Sequence, residues 1–118
     1  MATAVRADNM PTVWVVQEDP KKNLIQAMDF GNVEAILGFD DELSFLNVQR
    51  IAQKIRWNMR RMMPGDYILP VGNPISIGLT FIVAQDLTAG DFKVLRWDSQ
   101  ERRYYSVDML AAQKQFGQ

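Results

Sequence analysis

Between positions 43 and 63 the chain carries five cations and no acid: Arg50, Lys54, Arg56, Arg60 and Arg61. At 100° per residue, Arg50, Lys54, Trp57 and Arg61 fall within about 60° of one another on a helix, opposite a stripe of Val48, Ile55 and Met59. A tryptophan set among cations suits two chemistries. It can grip a phosphate backbone while its ring stacks on a base. It can equally anchor an acidic protein partner. The plain alternative is a solvated helix face, the usual fate of charged helical runs. Arg50, Lys54, Trp57, Arg60 and Arg61 are therefore the candidate contact residues for a protein or a nucleic acid.

The other constellations are weaker. A strand leading into Gly72-Asn73-Pro74 and then a helix is a place where α/β proteins bind anions. Here a single glycine stands where phosphate loops have several, no Lys-Ser/Thr follows, and Pro74 removes an N–H. Gly72 and Asn73 stay as a weak anion-binding candidate, with helix capping as the competing role. Asp40, Asp41 and Glu42 fit a helix start, where acids favour the dipole. Asp98 and Glu101 flank a turn. Trp97, Tyr104 and Tyr105 fall on two strands; one tyrosine is expected to join the core with Trp97 and the other to lie exposed beside Lys93, Arg96 or Arg103. Such a group is ordinary sheet packing or a platform for stacked bases. Asp29-Phe30-Gly31 and Trp97-Asp98 spell short pieces of kinase and propeller motifs whose other parts are missing.

The chain has no histidine and no cysteine. It therefore lacks the side chain most used for acid–base work near neutral pH and the usual ligands of zinc, haem and iron–sulfur clusters. No catalytic residue, metal ligand or cofactor is expected. Catalysis would have to run on carboxylates, lysines, tyrosines or an oxygen-bound metal.

One domain fits 118 residues with 47% hydrophobic and 23% charged side chains. The net charge of −1 hides a segregation: eight acids and three bases over 1–42, five bases over 43–63, six acids and five bases over 64–118. No apolar run suggests a membrane span, and the polar start lacks the apolar centre of a secretory signal. A cytoplasmic setting is the expectation.

The elements that must position these residues follow from pattern. Thr12–Gln17 reads as a strand buried on both faces. Asn23 can cap a short turn carrying Leu24, Ile25 and Met28. Asn32–Leu37 is a second strand. Over 43–63, Phe45, Val48, Ile51, Ala52, Ile55, Met59 and Met62 recur at helical spacing, and Pro64-Gly65 ends the helix. A strand is expected over 66–71. Asn73-Pro74 opens a second helix over 75–86, apolar all round and hence buried, although period-two alternation also allows a strand there. Strands over 91–98 and 102–109 form a hairpin. Residues 1–11 are expected to be flexible, and 110–118 a short helix or a frayed tail. The result is an α/β or α+β single domain, a mixed sheet of about five strands with two main helices. Its core should set Val48, Ile51, Ile55 and Met59 against Val13, Val15, Ile36, Ile68 and Val94.

The stretch Gly65-Asp-Tyr-Ile-Leu-Pro-Val-Gly-Asn-Pro-Ile-Ser-Ile-Gly78, then Phe92-Lys-Val-Leu-Arg-Trp-Asp-Ser-Gln-Glu101 and Tyr104-Tyr105, resembles small uncharacterised proteins of tailed marine phages, notably those of cyanobacteria. Val13 to Glu18 and Asn23-Leu24 are compatible with the same group. The resemblance implies a phage origin and an infected bacterial cytoplasm, and it carries over no functional residue.

The leading expectation is a small non-enzymatic binding or interaction protein, with a protein partner or self-association ahead of nucleic acid on the basic helix. The alternative from another class is a small enzyme using carboxylates with an oxygen-bound metal. The orientation of the basic helix is open to test. Ile55→Ala should cost about 2–5 kcal/mol in denaturant melts, and Trp57→Ala less than about 1 kcal/mol, as for an open surface position. The reverse order would turn the helix the other way and bury the basic face.

Overall fold

The computed structural model describes residues 10–117. The segment expected to be flexible therefore lies outside the described residues except for Met10 and Pro11, as does Gln118.

The strands are β1 (Thr12–Gln17), β2 (Asn32–Leu37), β3 (Tyr67–Leu69), β4 (Lys93–Asp98) and β5 (Arg103–Asp108). They form one sheet in the order β2-β1-β3-β4-β5. The first four are parallel, and β5 returns antiparallel to β4. The helices are α1 (Val48–Asn58), α2 (Pro74–Thr88) and α3 (Met109–Gln113), with a 3₁₀ turn at Ile25–Asp29. The domain is thus α/β with a five-stranded mixed sheet, as the pattern required.

Strand order dictates which face each connection covers. Crossovers between parallel strands are right-handed. β2 lies to one side of β1, whereas β3 and β4 lie to the other, so the first crossover must pass over one face and the next two over the opposite face. α1 and α2 accordingly share a core with Trp14, Val16, Ile36 and Ile68. The 3₁₀ turn covers the other face, where its Ala27 packs with Val13, Val15, Leu69 and Leu95.

This corrects the expected core at two positions. Ile51, Ile55 and Met59 do pack with Ile36, Ile68 and Val94, but Val13 and Val15 point to the far face. Every residue from Thr12 to Val16 is buried. With both faces apolar, alternation held no clue to which residues meet the helices.

The long helix is also shorter than its periodicity. It begins at Val48, and Phe45 is 89% exposed instead of lying on the apolar stripe. The chain before it is held in a turn: Asn47 Oδ1 accepts from Ser44 N–H at 2.7 Å, and Asn47 Nδ2 donates to Glu42 O at 2.8 Å. Side chains that bond nearby backbone in this way compete with helix. Val48 is only half-buried.

α2 is a helix, opened by Asn73, whose Oδ1 accepts from Ile75 N–H at 2.7 Å, with Pro74 in the first turn. It is not buried all round. Its inward positions include Ser76, Thr80, Ala84 and Thr88, one stripe at a four-residue repeat, while Ile75 and Ile82 are 54% and 68% exposed. Thr80 and Thr88 satisfy their hydroxyls on the carbonyls of Ser76 and Ala84, four residues back. The short turn at Asn23 forms as expected, with Ile25 N–H donating to Asn23 Oδ1, but it buries Ala27 and exposes Ile25 and Met28. The C-terminal segment begins as the short helix α3, capped by Asp108.

One buried acid ties the strand starts together. Asp66 is fully buried. Its Oδ1 accepts from Thr12 N–H, and its Oδ2 accepts from Trp14 Nε1–H and Met63 N–H, all at 3.0 Å. Its backbone carbonyl accepts from Lys93 N–H at 3.0 Å. Asp66→Ala would leave two buried donors, on Thr12 and Trp14, and one half-buried donor, on Met63, unsatisfied, at about 1–3 kcal/mol for each buried one. We expect a loss of at least about 2 kcal/mol in chemical denaturation. A loss below about 1 kcal/mol would show that these donors find other partners.

Candidate functional site

Two surfaces carry the residues able to recognise a partner. The first is the outer face of α1. Arg50, Lys54, Trp57, Arg60 and Arg61 are all exposed. Arg60 and Arg61 lie past the last helical residue, Asn58, so the helical angle does not extend to them. Arg60 instead folds back over Trp57. Its guanidinium carbon stands 3.9 Å from the ring centre, and its Nη1 donates to Trp57 O at 2.9 Å. A planar guanidinium on an indole face is a favourable cation–π contact. It fixes Trp57, which is 64% exposed.

The basic charge on this face is partly neutralised. Lys54 Nζ lies 2.9 Å from Asp41 Oδ2, and Arg56 Nη2 lies 2.6 Å from Asp86 Oδ2 on α2. Asp41 was expected to start the helix; it caps Gly38 N–H at 2.8 Å and reaches forward to the helix middle. The Lys54 ammonium holds its carboxyl below the ordinary value of 3.8, helped by Gly38 N–H and by Arg50.

The second surface opens at the carboxyl ends of the parallel strands. Pro70 lacks an N–H and has its φ fixed near −65°, which suits the centre of a tight γ-turn. Val71 N–H bonds Leu69 O at 2.9 Å across it, so β3 ends and leaves β4. The two strands pair only at Tyr67↔Lys93 and Ile68↔Val94. Beyond Val94, β4 has β5 on one side and a cleft of about 910 Å³ on the other. Leu69, Val71 and Leu95 give it an apolar floor, and Lys22, Arg96, Arg102, Trp97 and Tyr104 also line it. Trp97 and Tyr104 meet edge to face, with ring centres 5.0 Å apart. Burial pushes the Tyr104 phenol above its ordinary value of 10. Tyr105 lies on the other face and is 42% exposed. The division between the two tyrosines is the one alternation required.

Gly72 and Asn73 line a separate crevice of about 520 Å³. Gly72 has φ of 134°, and a Cβ there would stand 3.0 Å from the Gln17 side chain, so the turn needs glycine. Glu18, Asp19 and Glu42 share that crevice with the single cation Lys21. Three carboxylates repel an anion, and the Asn73 oxygen is already occupied by Ile75 N–H. The arrangement favours the capping role.

A family model described as Phage Pam3 gp32-like protein matches residues 11–111. The chain belongs to that family. No curated protein and no solved structure gives a significant match. The match agrees with the phage resemblance of the sequence. For a member of the Phage Pam3 gp32-like family it also means that the α1 face, β3 and the cleft all lie within the matched span.

Sequence spacing brought Trp57 and its cations together but did not show the cleft as a unit. Lys22 precedes the 3₁₀ turn, Arg96 and Trp97 sit on β4, and Arg102 sits in the hairpin turn with φ of 56°. The one available signal was Pro70, which marked an early end to β3.

The depressed Asp41 value sets a pH window. A lowered folded value means the contribution is present above the unfolded value near 4 and disappears as pH falls through the folded one. Lys54 is 43% exposed, so the pair should contribute about 0.5 kcal/mol. Asp41→Asn should differ from wild type by that amount at about pH 6 and converge with it by about pH 2. An unchanged difference at low pH would show that the effect does not come from the charge pair with Lys54.

Proposed function

We propose that this phage protein is a small, non-enzymatic interaction module that docks a protein partner on the outer face of α1. The observation that carries the reading is Trp57, 64% exposed yet held in place by the stacked Arg60. Exposed tryptophan and arginine are the side chains most often found to dominate protein interfaces. An immobilised ring loses less entropy on binding than a free one. Arg50, about two turns earlier on the same helix face, favours acidic groups on the partner. Pairing of Lys54 and Arg56 with carboxylates weakens the positive field that a phosphate backbone would need. No helix is long and apolar enough to cross a membrane among the described residues. We infer that it acts in the cytoplasm of an infected bacterium, a cyanobacterium by the marine resemblance of its sequence.

A photo-crosslinking side chain placed at position 57, with position 34 on β2 as a control, tests this in infected cells. A discrete protein adduct should form from position 57 alone. Arg60→Ala should reduce an adduct formed from a crosslinker at Gln53, since loss of an interface anchor typically costs about 2 kcal/mol or more. An adduct with a second copy of the chain would assign the face to self-association. Nucleic acid crosslinked at position 57, with binding that falls steeply with salt, would replace the protein reading by the nucleic-acid one.

A further inference from the structure

We propose that the cleft between β3 and β4 binds a nucleotide unit, a flat base carrying a phosphate. Charge is the first reason. The cleft wall holds three cations, Lys22, Arg96 and Arg102, and no carboxylate. None of the three has an ion-pair partner among the described residues. On a chain with a net charge of −1, three unneutralised cations around one cavity make a local anion site, and guanidinium groups match phosphate oxygens two at a time.

The second reason is the ring. Trp97 stays 44% exposed at the cleft while Tyr104 holds it edge to face at 73°. A fixed indole in a cleft whose rim also carries Lys22 and Arg102 offers a stacking surface that any base can use. Arg96, opposite Tyr105 in the register, leaves β4 on the other face and lines the cleft from that side. The third is the strand edge. β4 beyond Val94 has no β3 neighbour, so its backbone N–H and C=O groups on that side can meet the polar edge of a base. The volume, about 910 Å³, lies within the roughly 300–1,000 Å³ typical of small-ligand sites. This site is separate from the α1 face and does not depend on it.

The nucleotide could be free or part of a single strand. Amide shifts of the labelled protein during titration with AMP, adenosine, ribose 5-phosphate and an oligo-dA strand separate these. AMP should move amides of residues 94–97 and 102–104 and bind at least about tenfold tighter than adenosine or ribose 5-phosphate, because both halves are recognised. The double variant Arg96→Gln/Arg102→Gln, both sites exposed, should lose at least about tenfold in AMP affinity. Trp97→Leu should lose roughly five- to a hundredfold, with a thermal melt confirming its fold. Trp57→Ala should bind AMP as wild type does. Oligo-dA affinity about a hundredfold above that of AMP, with a salt slope reduced in the double variant, would assign the site to single strands. Equal affinities would assign it to free nucleotides. The proposal is overturned if millimolar AMP and the oligonucleotide leave the cleft amides unmoved. It is also overturned if the folded double variant binds as tightly as wild type.

Discussion

The carboxylate of Asp66 is the point on which the sheet depends. It accepts hydrogen bonds from the start of β1, from the Trp14 indole and from the chain leaving α1. The same residue's carbonyl takes the first N–H of β4. A buried acid is costly unless its oxygens are fully used, and here three donors use them. Two of those donors, on Thr12 and Trp14, lie 54 and 52 residues away along the chain, and Lys93 starts β4, so Asp66 fixes how β1, β3 and β4 begin relative to one another. Trp14, 3% exposed, could not sit in the helix-side core without a partner for its N–H.

The two ends of the parallel strands are therefore different in kind. Strand starts converge on Asp66 and are closed. Strand ends diverge, because Pro70 turns β3 aside after Leu69 and only two residue pairs join β3 to β4. The unneutralised cations Lys22, Arg96 and Arg102 collect at the divergent end. The α1 face is a third, independent region, where opposite charges from Asp41 and Asp86 temper the basic run. Rigidity at one end and open chemistry at the other is the division expected of α/β sheets.

How much of this was legible in the sequence can be followed residue by residue. Helical spacing at Ile51, Ile55 and Met59 and the Asn73-Pro74 start identified both main helices, and the turn at Asp98 identified the hairpin. β1 concealed its orientation because Val13 to Val16 are all apolar, so Trp14 and Val16, not Val13 and Val15, turned out to face α1. α2 concealed its inward face because small hydroxyl residues line it and isoleucines lie outside, the reverse of ordinary amphipathicity. The Trp57 cluster was legible because its members share one helix and its following turn. The cleft was not, since Lys22 meets Arg96 and Arg102 only through strand order. Asp66 read as an ordinary strand residue; nothing in its neighbours announces the two donors that reach it from β1.

The central role of Asp66 is tested most directly by hydrogen exchange at its three donors. The Thr12 and Met63 amides and the Trp14 indole N–H should exchange only through global unfolding, with the same opening free energy as the core amides of Ile55 and Ile68. Exchange of all three many orders of magnitude faster than the core, while Ile55 and Ile68 stay protected, would contradict the account. It would mean that the sheet holds together without the carboxylate at its base.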